Sequence, residues 1–442
     1  MTAHKHLKQL IRSRMEKTGE RYTAARRHII GEAAAEPLTA AAQSHLPGNV
    51  AAATVLRILL KHAGVRAPHT GKPFSEAMAF GIAGGIGIGV FSFYYEKEDF
   101  ASFFIGGRHQ WHDDLGYLNG ALGAFGIRPA VQETSGKKTA AKQLAEAVAG
   151  DGICVAWVDM ASLPHRGMPD FFKGMTYHVI TVYDVDKAND TALIGDLTDY
   201  PVTISLEDLE AARTRIVKQK FRLLSIDPAD RPVADMRALV AGGLRRCVDG
   251  LLHPTLPQSQ NNARLEALKT WAARLDGSKD PLSWERIFKP GLNLWRGLNW
   301  VCDFVEYYGT GGGLCRPLFA EFLDEAAAAA KWPALKELAA RYHTLGRQWS
   351  ELAEAALPVS VPLFRRAGEA RSQLAELRHS GAPAEETRAH WGQIEALAAE
   401  AKADFPLSGD GCADLRKDLQ ARVLSLYEGE AAALKEMTRI ID

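Results

Sequence analysis

Residues 178–204 read HVITVYDVDKANDTALIGDLTDYPVTI, and this stretch decides the fold class. Three short apolar segments are separated here by turn residues, which predicts a series of mostly antiparallel strands. Ile153–Val158 has the composition of a further buried strand, and Phe221–Ile226 that of the last one. We therefore expect one sheet built from neighbouring segments of the chain.

Helices are predicted on both sides of these strands. Val50–Ala63 has leucines on adjoining turns and no breaker before Gly64, and a second helix is expected to begin near Ser75, a helix-capping residue type. After Asp227 the chain turns to Ala, Leu, Glu and Arg at helical spacing. A bundle of six or more helices follows from this pattern, so the fold class is an α+β domain followed by an all-α helical domain.

The composition narrows the classes of function. The 442 residues include 53 basic and 53 acidic side chains, so a general nucleic-acid binder is not expected. The five cysteines lie far apart and form no metal-binding or disulfide pattern. We found no secretory signal and no convincing membrane span, so we expect a cytoplasmic protein without membrane contacts.

One histidine and one aspartate have the spacing of a catalytic pair. His178 begins an apolar strand, and Asp196 follows the next strand 18 residues later. A carboxylate beside an imidazole fixes its tautomer and stabilises its cation, as a general base requires. The alternative is a structural histidine at the end of a strand.

Two glycine-rich segments need an explanation. The run from Gly81 to Gly89 lacks the order and spacing of a nucleotide-binding loop, so we predict no cofactor there and instead a tight turn that another element approaches closely. Gly309–Gly313 lies between two predicted helices, and Arg316 follows it. This loop could bind an anion at a helix start, or could allow a close crossing of two helices.

The cluster HQWHDD, His109–Asp114, holds two imidazoles and two carboxylates. These groups could hold a divalent ion if the segment is helical. A surface turn leading into a helix is the alternative. Since no second cluster completes the set of ligands, we predict no metal.

Several blocks of the chain resemble the family of butirosin biosynthesis protein H. They are VAAATVLRILLKHAG from Val50, the glycine-rich segment from Ser75 to Tyr95, HVITVYDVD from His178, DLTDYPVTISLEDLEAAR from Asp196, and GTGGGLCRPLFAEFLDEAA from Gly309. The resemblance implies a papain-like α+β domain at residues 36–228 and the family's helical domain at 229–442. A basic helix pair in residues 1–35 lies outside it.

The resemblance also implies an acyl-transfer site. It assigns His178 as base and Asp196 as orienter, and places Ala51 where the family has its cysteine nucleophile. Asn49 is expected to supply a catalytic polar contact, and the expected substrate-binding positions are Thr54, Gly85, Gly87 and Tyr183. Thr54 as a hydroxyl nucleophile and Cys154 approaching from the sheet are the alternatives for the missing thiol.

Three functions fit these residues. The first is an acyltransferase that forms an amide from an acyl thioester and an amine without a cysteine nucleophile. The second is a catalytically degenerate relative that binds a carrier protein, peptide or metabolite, and the third is a scaffold for a biosynthetic enzyme. The expected partners are an acyl carrier protein or other acyl thioester donor and a small amine or peptide acceptor, with a homodimer as a further possibility.

Overall fold

The computed structural model describes residues 39–107, 114–227, 235–253, 262–275, 277 and 279–442. The predicted helix pair in residues 1–35 lies outside them. A mixed α/β region is followed by an all-helical region, which confirms the predicted order of fold classes. Among the described residues no helix is long and apolar enough to cross a membrane.

A six-stranded sheet organises the first region. Its strands run in the order β3-β8-β4-β5-β6-β7, and every pair is antiparallel. A separate hairpin pairs β1 with β2. The strands are β1 Gly89–Tyr95, β2 Phe100–Gly106, β3 Ala130–Gln132, β4 Cys154–Asp159, β5 Tyr177–Asp186, β6 Thr191–Gly195, β7 Val202–Ser205 and β8 Leu223–Ser225.

Within the described residues, five helices accompany these strands. The first packs on β5, and the second begins where the Ser75 hydroxyl accepts a hydrogen bond from the Met78 amide at 2.9 Å, as its sequence predicts. The fourth begins at Lys137, with Gly136 as its N-cap. They are α1 Ala51–His62, α2 Glu76–Ile82, α3 Asp114–Ala124, α4 Lys137–Ala147 and α5 Leu206–Arg215.

The helical region follows residue 235. The described helices are α6 Met236–Leu252, α7 Ala267–Leu275, α8 Trp284–Ile287, α9 Leu292–Cys302, α10 Arg316–Ala329, α11 Leu335–Ala356, α12 Pro362–His379, α13 Ala384–Ala403 and α14 Gly409–Ile441. A π-helical turn, Asp303–Tyr307, continues α9. The largest hydrophobic cluster contains residues from both regions, so the predicted boundary at residue 228 separates two kinds of secondary structure that share one core.

Close packing between α2 and α10 explains the first glycine run. A Cβ atom on Gly81 would lie 2.1 Å from the Phe322 ring, and one on Gly85 would lie 2.5 Å from the Phe319 ring. Side chains larger than glycine would therefore push the two helices apart. The element that approaches the glycine turn is α10.

The second glycine loop is a left-handed turn between α9 and α10. Gly309 and residues 311–315 all have positive φ, which favours glycine at most of these positions. A Cβ atom on Gly313 would lie 2.7 Å from the Gly346 carbonyl oxygen of α11. The geometry therefore agrees with the close helix crossing.

Candidate functional site

A buried polar cluster surrounds Asp196, directly after β6. The His178 Nε2 atom lies 2.7 Å from Asp196 Oδ1, so the predicted pair is in hydrogen-bond contact. The Arg166 guanidinium binds both carboxylate oxygens, with Nε at 2.8 Å from Oδ2 and Nη2 at 2.5 Å from Oδ1. His165 Nε2 reaches Oδ2 at 2.8 Å, and the Leu197 amide donates to Oδ1 at 2.7 Å. Five donors thus converge on one carboxylate.

The electrostatics of the cluster favour an ionised Asp196. Burial alone would raise the pKa of its carboxyl group, but the charge of Arg166 and the hydrogen bonds from His178 and His165 hold that pKa well below its usual range. Burial lowers the pKa of His165, and its bond to Asp196 offsets this only in part. The Asp196 carboxylate, which would stabilise a protonated histidine, is therefore already balanced by the Arg166 cation.

The contact with Asp196 fixes the tautomer of His178. Because the carboxylate only accepts hydrogen bonds, Nε2 carries the proton in this contact, and in the neutral imidazole Nδ1 then presents a lone pair. Among the described residues Nδ1 makes no hydrogen bond. His178 is 8% exposed, so its Nδ1 is left for a ligand proton, whereas His165 Nδ1 also lacks a partner but is fully buried.

Tyr183 has a structural environment. Its hydroxyl lies 3.0 Å from His45 Nδ1, and His45 Nε2 lies 2.8 Å from the Thr198 carbonyl oxygen. The side chain is 1% exposed, and a Cβ atom on Gly195 would collide with its hydroxyl at 2.2 Å. The buried side chain therefore offers no open surface for the predicted role in substrate binding.

The start of α1 carries a carboxylate that the sequence did not reveal. Glu76 Oε1 accepts hydrogen bonds from the amides of Asn49 and Val50 at 2.6 and 2.7 Å and from the Thr54 hydroxyl at 3.3 Å. Ala51 is the first helical residue and follows directly on these amides. Glu76 therefore occupies the anion site that the helix start offers.

This carboxylate engages all the polar groups expected near Ala51. The Asn49 side-chain amide donates to Glu76 Oε2 at 3.3 Å, and Thr54 is 2% exposed. A Cβ atom on Gly48 would lie 2.8 Å from Glu76 Oε1, so glycine there admits the carboxylate. Neither the oxyanion role expected for Asn49 nor the nucleophile alternative for Thr54 fits these contacts without displacing Glu76.

The two predicted substrate-binding glycines lie against α10. Gly85 is covered by Phe319, and the Gly87 carbonyl oxygen accepts a hydrogen bond from Arg316 at 3.4 Å. Both positions are buried. Packing against α10 therefore explains the two glycines better than the expected contact with a substrate.

The second glycine loop reaches the start of α1. A Cβ atom on Gly311 would lie 3.1 Å from the Asn49 Cβ atom. The Gly313 amide donates to Glu306 at 3.2 Å, and Arg316 is fully buried in an ion pair with Glu430 at 2.6 Å. The chain's own carboxylates thus accept from the Gly313 amide and from Arg316 Nε, which favours the close helix crossing over an anion site in this loop.

All five cysteines are buried. Burial raises the pKa of Cys154, Cys302 and Cys315 to about 12, and it also raises that of Cys412. A thiol in such surroundings is a poor nucleophile. Cys154 lies inside β4 and is fully buried, so it does not replace the missing nucleophile.

The HQWHDD cluster lies almost entirely outside the described residues. His109, His112 and Asp113 lie outside the described residues, and Asp114 begins α3. Elsewhere in the described ranges no group of three or more His, Cys, Asp or Glu side chains has the arrangement of a metal site.

Family models match both regions of the chain. Residues 51–197 match butirosin biosynthesis protein H, N-terminal, and residues 205–389 match a domain of unknown function, DUF4872. Over these two ranges the chain matches the butirosin biosynthesis protein H-like family. The predicted resemblance is thereby confirmed, and it makes the chain a biosynthesis-associated protein. No curated protein matches the chain.

The first match begins at Ala51 and ends one residue after Asp196, so it includes the helix start and the buried cluster. The family suggests a papain-like fold, with α1 packed on the strand that carries His178. The assignment of Ala51 to the cysteine position stays a prediction.

Proposed function

We propose that this member of the butirosin biosynthesis protein H-like family transfers an acyl group from a thioester to an amine without a covalent enzyme intermediate. The observation that carries the proposal is the state of His178. Its Nε2 atom is anchored on Asp196 at 2.7 Å, and its Nδ1 lone pair has no partner among the described residues. An unprotonated, oriented imidazole is what a general base requires.

The proposed reaction is a direct aminolysis. The amine nitrogen attacks the thioester carbonyl carbon, a C–N bond forms and the C–S bond breaks. His178 Nδ1 takes the proton that the amine loses and returns it to the departing thiolate. The same imidazole thus acts first as the base and then as the acid, and the protein contributes mainly by positioning the two substrates.

The acyl donor we propose is an acyl carrier protein or another acyl thioester, and the acceptor is a small amine or peptide. This choice rests on the family resemblance and on the reactivity of a thioester towards an amine. A thioester supplies a good leaving group, so its aminolysis does not depend on a cysteine.

A second candidate is a non-catalytic protein that binds such a ligand. Two observations favour it. Arg166 already neutralises Asp196, and Glu76 already occupies the helix start beside Ala51. Both features are compatible with a site that only binds its ligand.

A matched pair of variants distinguishes the candidates. His178→Gln and His165→Gln each replace one imidazole that contacts Asp196. The assay supplies an aminoacyl N-acetylcysteamine thioester with hydroxylamine and measures hydroxamate formation. We expect His178→Gln to lose about 100-fold or more in rate, within the usual range for general-base removal, and His165→Gln to lose far less.

The outcomes have separate meanings. Equal losses in both variants would point to a shared structural role and contradict the proposal. Wild-type protein that produces no hydroxamate from carrier-bound or free thioester, yet binds the thioester with an affinity that His178→Gln leaves unchanged, would establish the binding candidate.

A further inference from the structure

A second polar cluster lies in the helical region, where the π-turn after α9 meets α12 and α13. Asp303, Tyr308, Arg371, Arg378 and Trp391 line a small cleft of about 10 Å³. This volume is about that needed for one water molecule, so only the end atoms of a ligand reach the arginine donors.

The two arginines of the cleft differ in their partners. Arg371 Nε lies 2.8 Å from Asp303 Oδ1, and both side chains are about nine-tenths buried. Arg378 has no carboxylate within ion-pair distance in the described part of the chain. Arg378 therefore has no ion pair of its own, although its charge acts on Asp303 and its side chain hydrogen-bonds to Tyr308.

Aromatic rings hold the Arg378 guanidinium in place. Its central carbon lies 5.1 Å from the ring centre of Tyr308 and 5.1 Å from that of Trp391. Such stacking fixes the plane of a guanidinium and leaves its edges for hydrogen bonds. The Nε and Nη2 atoms are buried and lack a hydrogen-bond partner in the described structure.

The chain shows elsewhere what this pair of atoms binds. Arg166 uses its own Nε and Nη2 atoms to hold both oxygens of Asp196, at 2.8 and 2.5 Å. The same two atoms of Arg378 are the unoccupied ones. Two buried donors left without an acceptor are costly, and a planar carboxylate satisfies both at once.

We propose that Arg378 binds the carboxylate group of a small-molecule or peptide ligand, held side-on between Tyr308 and Trp391. The fork of Nε and Nη2 matches the two oxygens of a carboxylate, as it does between Arg166 and Asp196. The net positive charge of the two arginines and one aspartate favours an anion. This site is independent of the proposed acyl transfer, because none of its residues belongs to the Asp196 cluster.

The position of the site gives it a structural link to that cluster. Phe172 packs on Trp391 with ring centres 5.5 Å apart, and Met168 belongs to the same hydrophobic cluster. Both residues come from the loop that also carries Arg166. A ligand anchored at Arg378 would therefore lie beside the segment that orients Asp196.

The test uses acetate as the probe and the full chain. Binding is followed by broadening of the acetate methyl NMR signal, with acetamide as the uncharged probe and inorganic phosphate as the tetrahedral anion. Arg378→Gln removes the charge, and Arg378→Lys keeps the charge but loses the paired donors. Arg366→Gln is the matched control, since Arg366 lies on the same helix and already pairs with Glu400.

We expect wild-type protein and Arg366→Gln to bind acetate, and both Arg378 variants to bind it at least about 10-fold more weakly. Acetamide should not bind. Unchanged acetate binding in Arg378→Gln, or tighter binding of phosphate than of acetate, would overturn the proposal. Should Arg378→Gln fail to fold, acetate must protect Arg378 of the wild-type protein from phenylglyoxal, and absence of protection overturns the proposal equally.

Discussion

Removing the Arg166 cation tests whether it balances the charge of the buried Asp196 carboxylate. In Arg166→Met the side chain keeps most of its length and apolar contacts but loses the guanidinium. Asp196, whose side chain is fully buried, would then keep its negative charge without the cation that binds both its oxygens. Breaking a buried ion pair in this way is strongly destabilising, because the remaining charge is poorly solvated.

The structure sets the size of the loss. Removing one partner of a buried ion pair typically lowers the free energy of unfolding by about 3–5 kcal/mol. Here His165, His178 and the Leu197 amide still donate to the carboxylate, so we expect the lower end, about 3 kcal/mol at pH 7.5. Lys137→Met is the control, since Lys137 pairs with Glu210 while both side chains are 60% and 47% exposed. That change should cost less than about 1 kcal/mol.

The loss should also depend on pH, with a sign that follows from the histidines. In the wild-type protein the pKa of His165 is lowered by burial and by Arg166, so the unfolded chain takes up the proton first and stability falls as the pH drops below about 6.5. In Arg166→Met a protonated histidine can replace the missing cation. Its pKa is then raised and stability is gained as the pH falls.

Urea denaturation at pH 7.5 and 5.5 measures both effects. The free-energy difference between wild type and Arg166→Met should shrink at the lower pH. A loss below about 1 kcal/mol at pH 7.5, or a difference that does not change with pH, would refute the account of a charge-balanced cluster.

Two further predictions concern the start of α1. Replacing Glu76 with Ala removes the acceptor for the Asn49 and Val50 amides and should cost about 1–2 kcal/mol in urea denaturation; no loss would mean that water caps the helix equally well. Ala51→Cys should yield a thiol with an ordinary pKa near 8.5, because the neighbouring carboxylate offsets the helix dipole, and adding Glu76→Gln should lower that pKa. Iodoacetamide labelling against pH, with the labelled peptide identified by mass spectrometry, measures both values, and identical pKa values would contradict the proposed influence of Glu76.

The sequence predicted those parts of the fold that local patterns specify. The strands after His178 are bounded by turn residues, and α1 ends before a glycine of positive φ, so composition and periodicity sufficed. The sequence did not reveal β2, whose phenylalanines do not alternate with polar residues, or β3, which has three exposed residues. Local patterns carry little information about such edges.

The candidate site was predictable to the extent that its members lie on successive strands. His178 and Asp196 are close because β5 and β6 are neighbours in the sheet. Arg166 and Glu76 were missed for a physical reason. Arg166 comes from a loop without periodic pattern, and Glu76 reaches the start of α1 only because two helices pack together.

Glu76 and Asp196 bear in opposite ways on the prediction that Ala51 occupies the position of the family's cysteine. A thiolate at position 51 would form beside the Glu76 carboxylate, a like charge that disfavours it. The imidazole of His178 instead contacts the Asp196 carboxylate at 2.7 Å, with Arg166 Nη2 at 3.3 Å from the same nitrogen. An alanine at position 51 meets no penalty from Glu76. The charges near α1 therefore disfavour the thiolate of a cysteine enzyme, while the carboxylate beside His178 supports a histidine that accepts a proton briefly from a bound amine.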